Sequence, residues 1–199
     1  MLTTFAPEVL VSAEEYLQSE RTAELRNEFV HGEIHPMPGE KKKANLLANT
    51  LLMLLWPLLK KQQQEAFTQS VKVVIENGAV YRYPDLVVSP KTDNADPYLI
   101  FEPSILVEVA SRKSYYIDRF EKLAEYRSIP SVQCYLIVHQ ERMAVEAFFR
   151  KSDGDGWEER LFTASKDEIN LPTVGLMFTL GQLYEDVDLD STASDEDED

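Results

Sequence analysis

The stretches YPDLVVSP (83–90), SILVEVAS (104–111) and DRFEKLAEYRSIPSVQCYLIV (118–138) decide the architecture of this chain. Ser104 to Ala110 is apolar apart from Ser104 and Glu108, and Val132 to Val138 is nearly all apolar; both have the length of buried strands. Between them, Ser114 to Ser128 places Ile117, Phe120, Leu123, Ala124 and Arg127 near one face at helical spacing. Strand, helix, strand in that order predicts a right-handed parallel crossover.

Upstream, Ser12 with Glu15 forms a capping box for a short helix over Ser12 to Gln18. Glu24 to Val30 and Glu33 to Met37 flank His31-Gly32 as a hairpin. Lys41 to about Gln64 reads as the main helix, with Leu47, Leu51, Leu54, Leu55 and Leu58 on one face and a kink expected at Pro57. From Phe67 the period becomes two, so Phe67 to Glu76 and Ala79 to Ser89 are expected to pair around Asn77-Gly78. Downstream, Arg142 to Arg150 and Trp157 to Phe162 close a hairpin around SDGDG, and Thr179 to Tyr184 suits a last helical turn. The expected fold is α/β, a mixed sheet with flanking helices and an extra β-hairpin.

The chain has 199 residues, 44% of them hydrophobic, enough for one domain with a sizeable core. No run approaches the 18 or so apolar residues of a membrane span, and the N-terminus lacks the basic flank and apolar stretch of a signal peptide. The single cysteine, Cys134, excludes an internal disulfide and sits in an apolar run. A cytoplasmic location is the expectation. Net charge is −15, but nine of the acids fall between Glu185 and Asp199; without them 26 acidic residues face 20 basic ones. A domain over 1–186 with a disordered acidic tail over 187–199 is expected. Any nucleic-acid binding must then rest on local basic patches and metal ions. No phosphate-binding P-loop, CxxC pair or GxSxG elbow is present, so ATP hydrolysis, structural zinc and serine hydrolysis lack support.

Two carboxylates are out of place in a purely structural sheet. Asp85 opens the apolar run LVV after Pro84, and Glu108 sits inside ILVEVA on the same strand face as Leu106 and Ala110. A buried charge is unfavourable unless paired or bound to metal, and adjacent strands would bring the two within roughly 4–6 Å, within reach of one hard divalent cation. In the following helix Asp118 and Lys122 stand four apart and face the same way, which fits either an ordinary surface ion pair or a cation delivered to the site. The histidines His31, His35 and His139 have no metal-ligand spacing. Lys41, Lys42 and Lys43 at a helix start, and Lys72, Arg82, Arg112, Lys113 and Arg119, are candidate phosphate contacts. Gln133 is a candidate support for the helix or strand beside it. Tyr115, Tyr116 and Tyr126 read as packing residues.

Taken together, Pro84-Asp85, Glu108 with Ser111, Asp118, Lys122, Tyr126, Ile129-Pro130 and the run Tyr135 to Val138 resemble a widespread prokaryotic "putative restriction endonuclease" family of the PD-(D/E)XK nuclease superfamily. ELRNEFVHGEIHPMPGE (24–40) resembles that family's opening hairpin, and the likeness runs from about Ser12 to Tyr184. The resemblance implies a Mg²⁺- or Mn²⁺-dependent endonuclease acting on DNA. Asp85, Glu108 and the Val109 carbonyl would be metal ligands, and Glu33 an assisting acid through a water or a second metal. Lys122 would be the catalytic lysine, displaced from the usual place held here by Ala110. A homodimer is expected, since cutting two strands needs two sites. The sequence departs from the family where PGEKKKANLLANT lacks a histidine, where Arg112-Lys113-Ser114 follows Ser111, and at His139, where aspartate is common. A catalytically weak nuclease fold used for binding or regulation is the alternative reading.

Overall fold

The computed structural model describes residues 10–92, 96–154 and 156–189. In chain order the elements are α1 (Ala13–Glu20), β1 (Asn27–Val30), β2 (Glu33–Pro36), α2 (Lys42–Leu59), β3 (Gln64–Phe67), β4 (Lys72–Ile75), β5 (Val80–Arg82), β6 (Leu86–Pro90), β7 (Leu99–Ile100), β8 (Ile105–Ala110), α3 (Leu123–Ser128), β9 (Cys134–His139), β10 (Val145–Arg150), β11 (Trp157–Phe162), β12 (Glu168–Leu171), β13 (Leu176–Thr179) and α4 (Leu180–Leu183). A π-helical segment, Ile117–Lys122, runs directly into α3.

The strands form two larger sheets and one hairpin. The six-stranded sheet has the order β11-β10-β9-β8-β6-β3, and the five-stranded sheet β2-β1-β5-β4-β7. In the six-stranded sheet only β8 and β9 run parallel, joined by the helix between them as the crossover reading requires. Strand alternation gives that sheet two apolar faces. One carries Leu86, Val88, Ile105, Val107, Leu136 and Val138 and packs on the leucines of α2, on β12 and β13, and on α4. The other carries Val87, Leu106, Ala110, Tyr135, Ile137 and Phe148 and packs on α3 and on Val73, Ile75 and Val80 of the smaller sheet. The site lies on this second face.

The local reasons are visible in the sequence. Ser12 caps α1 with Glu15 returning the bond, and Thr179 with Gln182 does the same for α4. His31 and Gly32 take positive φ in the first hairpin turn. α2 is shorter than its leucine pattern suggests: it stops at Leu59, two residues after Pro57, and continues as one 3₁₀ turn to Gln62.

Two corrections concern strands. Ala79 to Ser89 is not one strand. It breaks at Tyr83-Pro84-Asp85 into β5 and β6, which belong to different sheets. Pro84 has no N–H for a ladder, and the Tyr83 N–H is taken by the Glu28 carboxylate at 3.2 Å, so the chain leaves one sheet and enters the other there. Phe67 to Glu76 divides likewise, into the end of β3 and β4, around Gln69 at φ 55°. At the C-terminal end Val187 is buried and Leu189 packs against the core, so the packed chain extends past the expected boundary at 186. The rest of the predicted acidic tail, 190–199, lies outside the described residues. Among the described residues no helix is long and apolar enough to cross a membrane.

Candidate active site

Sheet register brings Asp85 and Glu108 together. β6 and β8 pair with Leu86 opposite Val107 and Val87 opposite Leu106; one further step sets Asp85 opposite Glu108, both on the α3 face. Asp85 Oδ2 accepts the Val109 N–H at 2.6 Å, which ties its carboxylate to the backbone next to Glu108. Glu40, from the loop before α2, stands beside Asp85. Glu40 in turn accepts from Gln69 Nε2. Burial, with Glu40 adding to it, pushes the Asp85 carboxyl up to about 8.

Glu108 is 3% exposed and accepts the Tyr126 hydroxyl at 2.7 Å. Lys122 Nζ lies 3.0 Å from the same oxygen, Glu108 Oε1, and 3.2 Å from Asp118 Oδ1. A third carboxylate, Glu28 on β1, stands 3.6 Å from Nζ. Burial disfavours the charged lysine, but Glu108, Glu28 and Asp118 together outweigh it and hold the ammonium well above its ordinary range. Burial pushes Glu108 up; Asp118 and Asp85 add to this and Lys122 opposes it. Glu28 is itself clamped by Arg82 Nη1 at 2.8 Å, and the other arms of Arg82 grip Glu125 at 2.7 and 2.8 Å. For Glu28 burial raises the carboxyl, yet Lys122 and Arg82 prevail and set it below its usual range.

The π-helical turn is what aims the lysine. Asp118 and Lys122 are 2% and 8% exposed, so the pair is buried and not on the surface. The wider turn points both inward, and π-helical turns recur at functional sites.

Of the residues singled out in the sequence, Asp85, Glu108, Val109, Asp118 and Lys122 are brought together. Glu33 is not: it lies on exposed β2, where its carboxylate meets His35 Nε2 at 3.5 Å. The glutamate that the opening hairpin does deliver is Glu28, and the loop beyond it delivers Glu40. Neither stood out, because NEFV is too short to show which of its faces is buried and a loop has no period. Tyr126 is a positioning residue for Glu108 and not packing alone. Lys72 and Arg82 are buried, the first bonded to Tyr83 Oη at 3.0 Å and the second in its glutamate clamp, so neither forms a phosphate-facing rim. Gln133 is exposed and bonds the nearby Ser131 carbonyl, so it supports neither helix nor site.

The donor set suits a hard cation in its chemistry. It is all oxygen, and Glu40 stands close enough to Asp85 to raise its carboxyl. Its present arrangement is less complete: among the described residues no three His, Cys, Asp or Glu side chains already stand at metal-holding separation. Lys122 and Tyr126 hold Glu108 on its own partners.

A mixed six-stranded sheet with a carboxylate pair on adjoining strands and a lysine from the crossover helix defines a restriction-endonuclease-like α/β protein. The chain belongs to the Uma2 family, described as "Putative restriction endonuclease", whose sequence profile matches residues 13–181. It is similar to two uncharacterized proteins of Synechocystis sp. (strain ATCC 27184 / PCC 6803 / Kazusa). To sll1609 it is 33% identical over 147 residues, 72% of this chain and 83% of the relative. To slr1290 it is 30% identical over 180 residues, 90% and 94% of the two chains. The fold matches the crystal structure of a "putative nuclease" from Anabaena variabilis ATCC 29413 with a TM-score of 0.71 at 14% identity, covering 88% of this chain and 98% of that one.

Proposed function

We propose that this protein is a metal-dependent nuclease that hydrolyses phosphodiester bonds in DNA. The observation that carries the reading is Lys122: an ammonium buried in a helix turn, 3.0 Å from Glu108 Oε1, beside an Asp85 pinned to the next strand. Asp85, Glu108 and the Val109 carbonyl, with Glu40 replacing Glu33 as the assisting acid, would hold Mg²⁺ or Mn²⁺. When bound, the ion would polarise a phosphoryl oxygen and make a nearby water more acidic.

The chain's own groups do the rest. Lys122 is a fixed positive charge that faces charge developing on the phosphate, and it holds the attacking water near Glu108. Asp118 and Glu28 keep it protonated and aimed. Tyr126 orients the Glu108 carboxylate, and Val109 N–H orients Asp85. The test is cleavage of several DNA and RNA substrates with Mg²⁺ or Mn²⁺, comparing wild type with Asp85→Ala. Metal-dependent cleavage lost in the variant supports the reading; no cleavage of any nucleic acid by wild type overturns it.

A second reading, a nuclease fold kept for binding or regulation with an idle site, is favoured by one observation. Among the described residues no three His, Cys, Asp or Glu side chains stand together as a metal-holding group. Calorimetric Mn²⁺ titration separates the two, because an interaction module with no use for metal shows no site-specific binding that depends on Asp85.

A further inference from the structure

The polar row on the α3 face continues past Glu108. The register sets Glu108 beside Ile137, and Ile137 beside Glu146 of β10. Glu146 and Glu108 therefore lie two strand spacings apart, roughly 10 Å. Glu146 and His139 are both buried, with 7% exposure each. Arg119, in the same π-helical segment as Lys122, reaches Glu146 Oε2 at 2.9 Å, so one helix segment supplies a cation to each buried glutamate. His139 Nε2 lies 2.9 Å from Glu146 Oε1, and Arg142 Nη2 lies 3.3 Å from the same nitrogen. That contact engages at most one of the five N–H donors of Arg142 and leaves the rest of its guanidinium for another acceptor.

Over this cluster opens a groove of about 320 Å³ lined by Ser111, Arg112, Tyr115, His139, Glu141 and Arg142. Its floor includes the start of the helix that carries Lys122, where the Ser111 and Ser114 hydroxyls each accept the other's backbone N–H at 3.0 Å. The positive pole of that helix adds to the two arginines. Arg112 is exposed and has no ion-pair partner among the described residues. Glu146 is committed to Arg119 and His139, so Glu141 is the one lining acid facing the arginines.

We propose that this groove is a phosphate subsite. It holds a phosphodiester group of the strand whose neighbouring phosphodiester is presented to Asp85 and Glu108. Arg112 and Arg142 supply the donors and charge, and His139, fixed by Glu146, forms the wall. The identity of the polymer rests on the nuclease reading. A body that is net acidic must meet a polyanion at such local sites, and the groove opens over Glu146, two strand spacings from Glu108 on the same sheet face.

The test uses a labelled short DNA duplex with EDTA present, so that binding is read without cleavage. Anisotropy is followed across a salt series for wild type, for the double variant Arg112→Ala/Arg142→Ala, and for Lys61→Ala, an exposed lysine just after α2 on the other side of the sheet. The double variant is expected to bind about tenfold or more weakly and to lower the salt slope by about 1, while Lys61→Ala does neither. Circular dichroism melts that match wild type confirm that the exposed arginines were removed without unfolding. Unchanged affinity in the double variant, an equal loss in Lys61→Ala, or no duplex binding by wild type each overturns the subsite. Cleavage is measured separately with Mg²⁺. Wild type that binds through the arginines but never cleaves brings down the nuclease reading and leaves the subsite. Wild type that cleaves, with binding indifferent to the arginines, does the reverse.

Discussion

At the scale of single residues, Lys122 carries the most weight, because one ammonium answers Glu108, Asp118 and Glu28. Removing it strands three buried carboxylates, so Lys122→Ala is expected to lower stability by about 3–5 kcal/mol, read by urea unfolding. At a temperature where the variant stays folded, cleavage should fall by about 10²-fold or more, while Mn²⁺ binding persists because lysine is not a ligand. Lys122→Arg should not restore the rate, since a planar fork cannot sit among the three acids as a point charge does. Normal cleavage by Lys122→Ala would strip the lysine of its role. Tyr126→Phe isolates a smaller effect: the lost bond to the buried Glu108 oxygen is expected to destabilise by about 1–3 kcal/mol in the same unfolding assay. Asp85 gives a pH signature in metal-free protein. Its folded pKa, about 8, is above the unfolded value, so the folded state binds the extra proton. This contribution therefore falls as pH rises from about 4 to about 8, with a limiting slope of about 1.4 kcal/mol per pH unit. Asp85→Asn should remove that slope from urea midpoints measured across this range in EDTA; an unaltered slope would show that another group carries it. Asp85 and Glu108 were legible in the sequence because each interrupts an apolar run. Glu28 and Glu40 were not, because only the folded sheet shows that β1 and the loop before α2 reach the same place.

At the scale of elements, the π-helical segment joins fold to chemistry. It points Arg119 and Lys122 at two buried glutamates and Asp118 at Lys122, while Tyr116 and Phe120 face outward, at 65% and 55% exposure. Deleting Glu121, whose side chain is 54% exposed, should convert the wide turn to an ordinary helix. It would bring Asp118 and Arg119 one residue closer to Lys122, changing which side chains of that segment stand against one another. The expected outcome is a lower melting temperature and no cleavage, whereas Glu121→Ala should leave both near wild type. Equal behaviour of the two variants would show that the turn is incidental. Helical spacing in the sequence located this helix but could not show its wider turn, since a window of apolar positions fits either period. Hairpins with Gly turns and both capped short helices were legible for the opposite reason: their signals are local. The switch from β5 to β6 depends on Glu28, more than fifty residues away, taking the Tyr83 N–H, and β7 has two residues, too few for any pattern.

At the scale of the whole molecule, the difficulty is charge. On the proposed function, a net −15 chain must hold its repulsive charges away from a polyanionic substrate or neutralise them locally. Around the site much of this is done inside the fold. Lys122, Arg82 and Arg119 answer Glu28, Glu108, Asp118, Glu125 and Glu146, leaving Arg112 and Arg142 at the groove. Ser191 to Asp199 holds five further acids and, apart from Ala193, no apolar residue that could repay the ordering of its backbone. Its deletion is therefore expected to leave the melting temperature within about 1–2 °C of wild type, as for a surface change within about 0.5 kcal/mol. Removing five negative charges should also tighten duplex binding at low salt, where the Debye length of about 30 Å lets distant charge act. The same comparison at about 150 mM salt, where that length is about 8 Å, should show the advantage shrinking toward none. Anisotropy titrations of full chain and truncated chain at both ionic strengths check this. A gain that survives at high salt would mean the acids act at close range, in contact with the binding face. A marked fall in melting temperature would mean instead that they help hold the domain together.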